Sequence, residues 1–500
     1  MTATPEPAAA RGRIVMLVHK DITNDSRVQK IAMSAADAGW EVHLIGRASR
    51  SRTEQLGGAR VQILRNTGAY GAPRQAYHRS WLRYPLAYPP NGVEEYRKEW
   101  IAGWAASLAE RRVDAGLAGR EPSTRLRGEQ FAHRVSRRWV RLRSELLAKA
   151  RAPRRHAGPL DRGYAVVTRA VQGRRSWRQL DPTLWNYELS YGPVIDRLQP
   201  DLIHAHDFRM LGVGARAALR ARLKGRDVKL VWDAHEFLPG IRPWVDNVRW
   251  KRANMDHERE YGGYADAVVT VSDTLAEMLQ REHDLPQRPT VILNAPATAD
   301  AADTPGLRTL CGLDPATPLV VYSGGAAEQR GLRTMVEAMP HLPDVHTAFV
   351  VNVPTSAYVT ELRELADRLG VADRLHVHPF VRHDEVVRFL GSADVGVIPL
   401  HHYPNHEIAL ITKFFEYSQA RLPIVVSDVR TMAEQVRSSG QGEVFRARDT
   451  ADYARAVRAV LDDPARYRAA YDSDLLSHWT WEAQAKLLDA LYSRLLERPA

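Results

Sequence analysis

The stretch Arg13–Gly46, "RIVMLVHKDITNDSRVQKIAMSAADAGWEVHLIG", decides the fold. "RIVMLV" (13–18) is a short apolar, β-branched run, as expected of a strand buried on both faces. The loop "HKDITND" follows it. From Ser26 to Ala38, Val28, Ile31, Ala32, Ala35 and Ala36 recur at helical spacing, with Asp25 or Ser26 placed to cap the start and Gly39 to end the helix. "EVHLIG" (41–46) is the next strand. Strand, helix and strand in this order form a βαβ unit, whose crossover is right-handed.

The same alternation runs outward from this unit. Further strands read at 60–64, 201–206, 228–233, 266–272 and 290–294. A second series follows at 319–324, 346–351, 375–379, 395–400 and 423–428. Helices intervene, among them Leu332–Ala338, Ser356–Leu369 and Thr412–Ala420. The fold class is therefore α/β, with two doubly wound, Rossmann-like domains and a cleft between their strand C-termini, where such sheets bind ligands. The Ala-, Pro- and Asp-rich stretch "NAPATADAADTPG" (294–306) marks the boundary. The expected domains are 1–300 and 301–477, with a C-terminal helix in 478–500. Residues about 75–185 break the rhythm and read as a mainly helical, Arg-rich insertion in the first domain.

Composition narrows the function classes. The chain has 500 residues, 44% of them hydrophobic, enough for two cores. Its single cysteine, Cys311, allows no intrachain disulfide and fits a reducing cytoplasm. No apolar run is long enough to predict a transmembrane helix, and "MTATPEPAAARGR" lacks the apolar core of a secretory signal. The net charge is +11, but residues 101–180 hold 19 Arg/Lys against 6 Asp/Glu, leaving 51 against 53 elsewhere. A surplus confined to one segment argues against a nucleic-acid partner.

No G-x-G-x-x-G dinucleotide fingerprint, phosphate-binding G-x-x-x-x-G-K-[ST] or H-E-x-x-H zinc motif occurs. "HAHD" (204–207) reads as a polar strand end lining a cleft rather than a metal site. "DAHE" (233–236) also ends a strand. Its histidine is either a substrate contact or a loop hydrogen bonder. In "YSGGAAEQRGL" (322–332), Gly324 and Gly325 allow a ligand close to the backbone, and Arg330 stands where the next helix begins, as a diphosphate would require. In "HEIALITKFFEYSQARLPIVVSD" (406–428), Lys413 and Glu416 share one helix face just before a buried strand, with Glu407 upstream.

These segments, with "PDLIHAHDFRMLGVGA", "ADAVVTVSDTLAEML", "VHPFVRHDEVVRFLGSADVGVIPL" and "WTWEAQAKLLDALYSRLL", resemble in order and spacing the retaining GT-B glycosyltransferases of family 4. The likeness runs over most of 13–72 and 190–495. It implies transfer of a sugar from a nucleoside diphosphate sugar to an acceptor with retention of anomeric configuration. No metal or other cofactor is expected, the nucleotide sugar being a co-substrate. Glu416 would bind the ribose hydroxyls. Glu407, Ile408, Ala409 and Leu410 would wrap the donor sugar, and Phe380 and Val381 would flank the base. Gly324, Gly325, Arg330 and Lys413 would face the diphosphate. His235 would reach the donor sugar as a catalytic group beside Arg330 and Lys413, and His206, Asp207 and Glu236 would lie on the acceptor side. The C-terminal helix would cross back onto the first domain. Two departures stand out: eight residues separate Glu407 from Glu416 where the family has seven, and of the arginine and lysine that the family often sets on the diphosphate, the first position reads as Gly324 or Gly325 and Arg330 stands for the lysine.

The acceptor class stays open among a glycan, a lipid-linked sugar and a natural-product aglycone. Rival readings are a GT-B-like epimerase or phosphorylase, and a degenerate sugar-binding scaffold. Within the insertion, Tyr77, Trp81, Tyr84, Tyr88, Tyr96, Trp100 and Trp104 crowd together, the last three on a helix over Val93–Arg112, ahead of "RRWVRLR". Two expectations fit: docking on an anionic membrane surface from the cytoplasmic side, or a solvated cap with its aromatics buried.

Overall fold

The computed structural model describes residues 11–23, 25–65, 84–89, 92–117, 121, 123–151, 158–241, 247–297 and 305–497. By packing, the chain divides into one large unit (1–66, 165–244 and 250–500) and a helical unit (67–164 with 245–249).

The large unit contains two sheets. The first holds β1 (Arg13–Leu17), β2 (Glu41–Ala48), β3 (Arg52–Leu56), β4 (Ala59–Arg65), β5 (Leu202–His206), β6 (Lys229–Asp233), β7 (Ala267–Thr270) and β8 (Thr290–Val291). Their order is β3-β4-β2-β1-β5-β6-β7-β8. All pairs are parallel except β3 with β4, an antiparallel hairpin at the edge. β3 escapes a reading by pattern because "RTEQL" is polar and largely solvent-facing.

The second sheet, β9 (Leu319–Ser323), β10 (His346–Val351), β11 (Leu375–Pro379), β12 (Val395–Ile398), β13 (Ile424–Ser427) and β14 (Gly442–Phe445), is wholly parallel in the order β11-β10-β9-β12-β13-β14. In both sheets the order reverses beside the first strand, at β1/β5 and at β9/β12. The doubly wound arrangement opens a crevice there at the strand C-termini.

The cores follow from the sequence pattern. β5 is buried at all five positions and β9 likewise, as central strands covered on both faces must be. The Ser26–Asp37 helix starts where the Asp25 side chain accepts the Val28 N–H, and it buries Val28, Ile31, Ala32 and Ala35 against the first sheet. The helices from Ala165 onward also pack in this unit. Trp177, Leu180, Leu184 and Tyr191 join β5 and β6 in one core. The last helix, Trp481–Leu496, lays Trp481, Leu488, Leu491 and Tyr492 on the first sheet's other face. Asp489 fixes it there by accepting from Trp40 Nε1 at 2.7 Å and Arg11 Nη1 at 2.9 Å.

In the helical unit, helices Val93–Leu117 and Thr124–Arg151 pack around Tyr88, Ile101, Val140 and Leu147. Trp104 stands edge-on to His133, whose Nε2 lies 3.2 Å from the Ile101 carbonyl. Of the clustered aromatics, Tyr88 is buried and Trp104 half-buried, while Tyr96 and Trp100 are exposed. Tyr77 and Trp81 lie outside the described residues. Among the described residues, no helix is long and apolar enough to cross a membrane.

Candidate functional site: polar groups at the strand C-termini

The ends of β1, β5 and β6 gather an unusual density of polar groups. Asp233, fully buried, accepts two parallel hydrogen bonds from Arg27, Nε at 3.0 Å and Nη2 at 2.9 Å. Arg27 also donates to the Ile292 carbonyl. Burial alone would push the Asp233 carboxyl up, but Arg27 and His206 hold it well below the usual carboxylate range. His206 donates from Nδ1 to the same carboxylate at 2.9 Å, because an ionised carboxylate only accepts; its buried Nε2 has no hydrogen-bond partner among the described residues. His204 stacks on His206 at 4.3 Å and lies 2.5 Å from the Tyr492 hydroxyl. Burial, aided by His206, keeps His204 neutral.

His204, His206 and Asp233 are close enough together to suggest a metal site. Yet Asp233 already serves Arg27 with both oxygens, and a divalent ion there would have to displace a buried guanidinium. These groups therefore act as a hydrogen-bonded network that fixes the sheet end.

Asp207 follows directly and has φ 70°, a left-handed conformation that a non-glycine residue holds only when its surroundings impose it. Its Oδ1 accepts the Phe208 N–H at 2.6 Å, and its Oδ2 lies 3.2 Å from His19 Nδ1. Burial raises its pKa, against the pull of His235 and Arg209. His19 is lowered to about 3 by burial, then by Arg209, which donates to its Nε2 at 3.1 Å. His235 is half-buried, within electrostatic reach of His19, Asp25 and Asp207, and its buried Nδ1 has no hydrogen-bond partner among the described residues. Glu236 is exposed.

In the second domain, β9 runs into Gly324 and Gly325, then a turn through Glu328–Arg330 to Gly331. Gly331 has φ 75°, and a Cβ there would fall 1.8 Å from the Pro399 carbonyl oxygen, so only glycine fits. Arg330 is half-buried, and no carboxylate pairs with its guanidinium among the described residues. His406, lowered by burial, feels Arg330 and donates from Nδ1 to the His401 carbonyl at 2.8 Å. Arg448 reaches His401 Nδ1 at 3.3 Å.

On the Thr412–Gln419 helix, Lys413 Nζ donates to Glu416 Oε2 at 2.7 Å. Glu416 is buried, and the ammonium also lies 5.4 Å from the centre of the exposed Phe380 ring. The structure thus brings Phe380, Lys413 and Glu416 together.

Glu407 points elsewhere. Its carboxylate accepts the Arg430 N–H at 2.8 Å at the start of helix Arg430–Ser439, and lies 2.6 Å from His402 Nδ1. Ile408 is buried in the first domain's core, and its carbonyl accepts from Ser272 Oγ at 2.7 Å. Ala409, Leu410 and Val381 are half-buried. The 401–411 loop therefore ties the second domain to the first. Gly240 abuts it as well, since a Cβ there would lie 2.3 Å from Asn405 Oδ1.

Lys30 is a group the sequence reading passed over. It leaves the Ser26–Asp37 helix, donates to Asn294 Oδ1 at 3.1 Å and to the Ala295 carbonyl, and lies over Trp481. Burial, then Arg27, lowers it to about 7, while Glu416 pulls the other way. A first-domain lysine thus shares the field of the second-domain carboxylate. Its only sequence signal is a cation beside the apolar positions Ile31 and Ala32.

The comparisons with known proteins agree with this fold. The family described as "Glycosyl transferases group 1" matches residues 312–473, and "Glycosyltransferase Family 4" matches 101–298. A D-inositol 3-phosphate glycosyltransferase of Xylanimonas cellulosilytica is 31% identical over 212 residues, 41% of this chain and 49% of that protein. A glycogen synthase of Mycobacterium tuberculosis is 28% identical over 305 residues, 59% of this chain and 69% of that protein. The chain spans about half the length of several curated relatives it matches. Among solved structures, sucrose-phosphate synthase from Thermosynechococcus elongatus superposes with TM-score 0.60 at 16% identity, covering 97% of this chain and 99% of that one. Anabaena Alr3699/HepE in complex with UDP-glucose does so with TM-score 0.55 at 13% identity, covering 97% and 100%.

Two doubly wound domains of this order, with the last helix returned to the first, define the GT-B fold. Within that fold the chain is similar to the family 4 type of glycosyltransferases, one family model matching 101–298 and another 312–473.

Proposed function

We propose that the protein transfers a hexosyl-type sugar from a nucleoside diphosphate sugar to an acceptor hydroxyl, with retention of anomeric configuration and without a metal ion. The observation that carries this reading is the Arg330 guanidinium, which has no carboxylate partner among the described residues, at the glycine-rich end of β9, in the same domain as the Lys413–Glu416 pair. A cation without a carboxylate partner among the described residues, at a sheet's ligand-binding end, fits an anionic group brought in by substrate.

In this reading Glu416 accepts from the ribose hydroxyls, and Lys413, now bonded to it, turns to the diphosphate. Phe380 and Val381 flank the base, with Gly324 and Gly325 against the phosphates. The bond from the sugar's anomeric carbon to the diphosphate oxygen breaks. A bond to the acceptor oxygen forms on the same face, and the acceptor proton passes to the departing phosphate oxygen. Arg330 and Lys413 supply the positive charge that stabilises the leaving group, which is why a divalent cation is not needed. In this reading His235, whose Nδ1 has no hydrogen-bond partner among the described residues, reaches the donor sugar, Asp207 and Glu236 face the acceptor, and His206, buried on Asp233, supports the acceptor side from behind. The reading places the chain in the cytoplasm, where nucleotide sugars are made.

The test is turnover with UDP-, GDP- and dTDP-sugars followed by proton and phosphorus NMR. Release of nucleoside diphosphate with a product of unchanged anomeric configuration supports the reading. Inverted product overturns retention. Sugar phosphate appearing without nucleotide marks a phosphorylase, an epimerised donor marks an epimerase, and no turnover of any donor favours a scaffold.

A further inference from the structure

The helical unit carries a surface that the donor reading leaves unexplained. On the helix Thr124–Arg151, Phe131, Val135, Trp139 and Leu142 are 62%, 51%, 47% and 43% exposed. Their spacing of four, four and three residues places them in one stripe. The opposite face of the same helix is the buried one, with Leu126, His133, Val140 and Leu147. Four large apolar side chains in solvent, facing away from the helix's own packing partner, are not a satisfied core face.

Charge frames the stripe. The helix holds nine Arg/Lys and two Asp/Glu. Arg127, Arg134, Arg138 and Arg141 follow one edge of the stripe and Arg125 and Arg143 lie towards the other. Arg134 stands 5.9 Å from the centre of the Phe131 ring. On the neighbouring helix Val93–Leu117, exposed Tyr96 and Trp100 share Arg97 in the same manner, at 6.0 and 5.7 Å.

We propose that this stripe docks the protein on an anionic lipid bilayer, with Phe131, Val135, Trp139 and Leu142 entering the headgroup–acyl boundary and the flanking arginines meeting lipid phosphates. The occupant follows from charge and apolar surface together. A second copy of this chain would bring two strongly cationic helices face to face. A nucleic acid would satisfy the arginines but leave the aliphatic groups in water. A bilayer with acidic headgroups satisfies both, as interfacial helices do.

The full-length protein is sedimented with vesicles of 30% phosphatidylglycerol in phosphatidylcholine, and with pure phosphatidylcholine, at low and high salt. Anionic vesicles should capture the chain at low salt, neutral ones far less, and salt should weaken the capture. Each arginine near such a surface is worth about fivefold in affinity. Reversal at Arg134→Glu/Arg138→Glu/Arg141→Glu should therefore weaken binding by about a hundredfold or more. Phe131→Ser/Trp139→Ser should weaken it by roughly tenfold and leave only a salt-sensitive remainder. Both sets are exposed, so melting temperature and donor turnover should stay at wild-type values. No capture by anionic vesicles at low salt, equal capture by neutral ones, or wild-type binding in both variants overturns the proposal. So does self-association in sedimentation velocity that the Phe131→Ser/Trp139→Ser variant abolishes.

Discussion

Arg27 and Asp233 lie 206 positions apart and form a buried, two-pronged ion pair at the C-terminal end of β6. The helix after β1 is thereby pinned to the strand two places across the sheet, and the same carboxylate orients His206. Breaking such a pair from one side leaves an uncompensated buried charge. Arg27→Met should destabilise the fold by about 3–5 kcal/mol in urea titration. Because Asp233 is held below the ordinary carboxylate range, its contribution is complete above the unfolded carboxyl's pKa and is lost as pH falls through the folded one. The destabilisation should therefore shrink in strongly acid solution; a pH-independent difference contradicts the ionic account.

Lys30 gives a slope of the same sign in a higher pH window. Its folded pKa is lowered to about 7, so the unfolded chain binds the extra proton between there and the normal lysine range. Its contribution to stability should rise with pH across that window. Wild type and Lys30→Met, compared by urea titration from pH 6 to 10, should diverge in that sense. Parallel pH profiles would place the lysine in contact with solvent.

Gly331 tests the turn that presents Arg330. Gly331→Ala adds a methyl where the Pro399 carbonyl stands, at a φ of 75°. A loss of about 3 kcal/mol or more is expected, from backbone strain and the displaced loop together. Unchanged thermal stability would mean that the turn adapts and that Arg330 is not held by it.

Arg330→Ala should chiefly lower turnover, by about a hundred- to a thousandfold, because it removes charge stabilisation that is greatest when the diphosphate departs. His235→Ala should lower turnover with little change in nucleoside diphosphate affinity. Steady-state kinetics beside direct nucleotide titration separates the two quantities. Equal loss of nucleotide affinity in His235→Ala would move His235 to the nucleotide.

Both sheets were legible because their strands are apolar runs that alternate with helices of clear period, from "RIVMLV" to "PIVVSD". β3 and β14 were not, since a polar edge strand and the four-residue edge strand Gly442–Phe445 carry no such pattern. Within the candidate site, Lys413 and Glu416 could be paired from spacing alone, three apart on one helix. The partnership of Arg27 with Asp233, and the approach of Lys30 to the field of Glu416, depend on how distant elements meet, which no local pattern encodes. Glu407 shows the same limit. Its neighbours in sequence suggest a place on the donor loop, whereas its bonds run to Arg430 and His402. The exposed stripe on Thr124–Arg151 was half visible: the arginines showed in composition, but which aromatics face water emerged only from packing.

The central claim is that the second domain binds a nucleoside diphosphate through Glu416. Isothermal titration of wild type and Glu416→Ala with UDP, GDP and dTDP tests it most directly. One of the three should bind wild type, and the variant should lose about 2–4 kcal/mol, roughly 30- to 1,000-fold in Kd, with the melting temperature shift from that nucleotide reduced accordingly. Binding of none of them to wild type, or equal Kd values in the two proteins, would contradict the account.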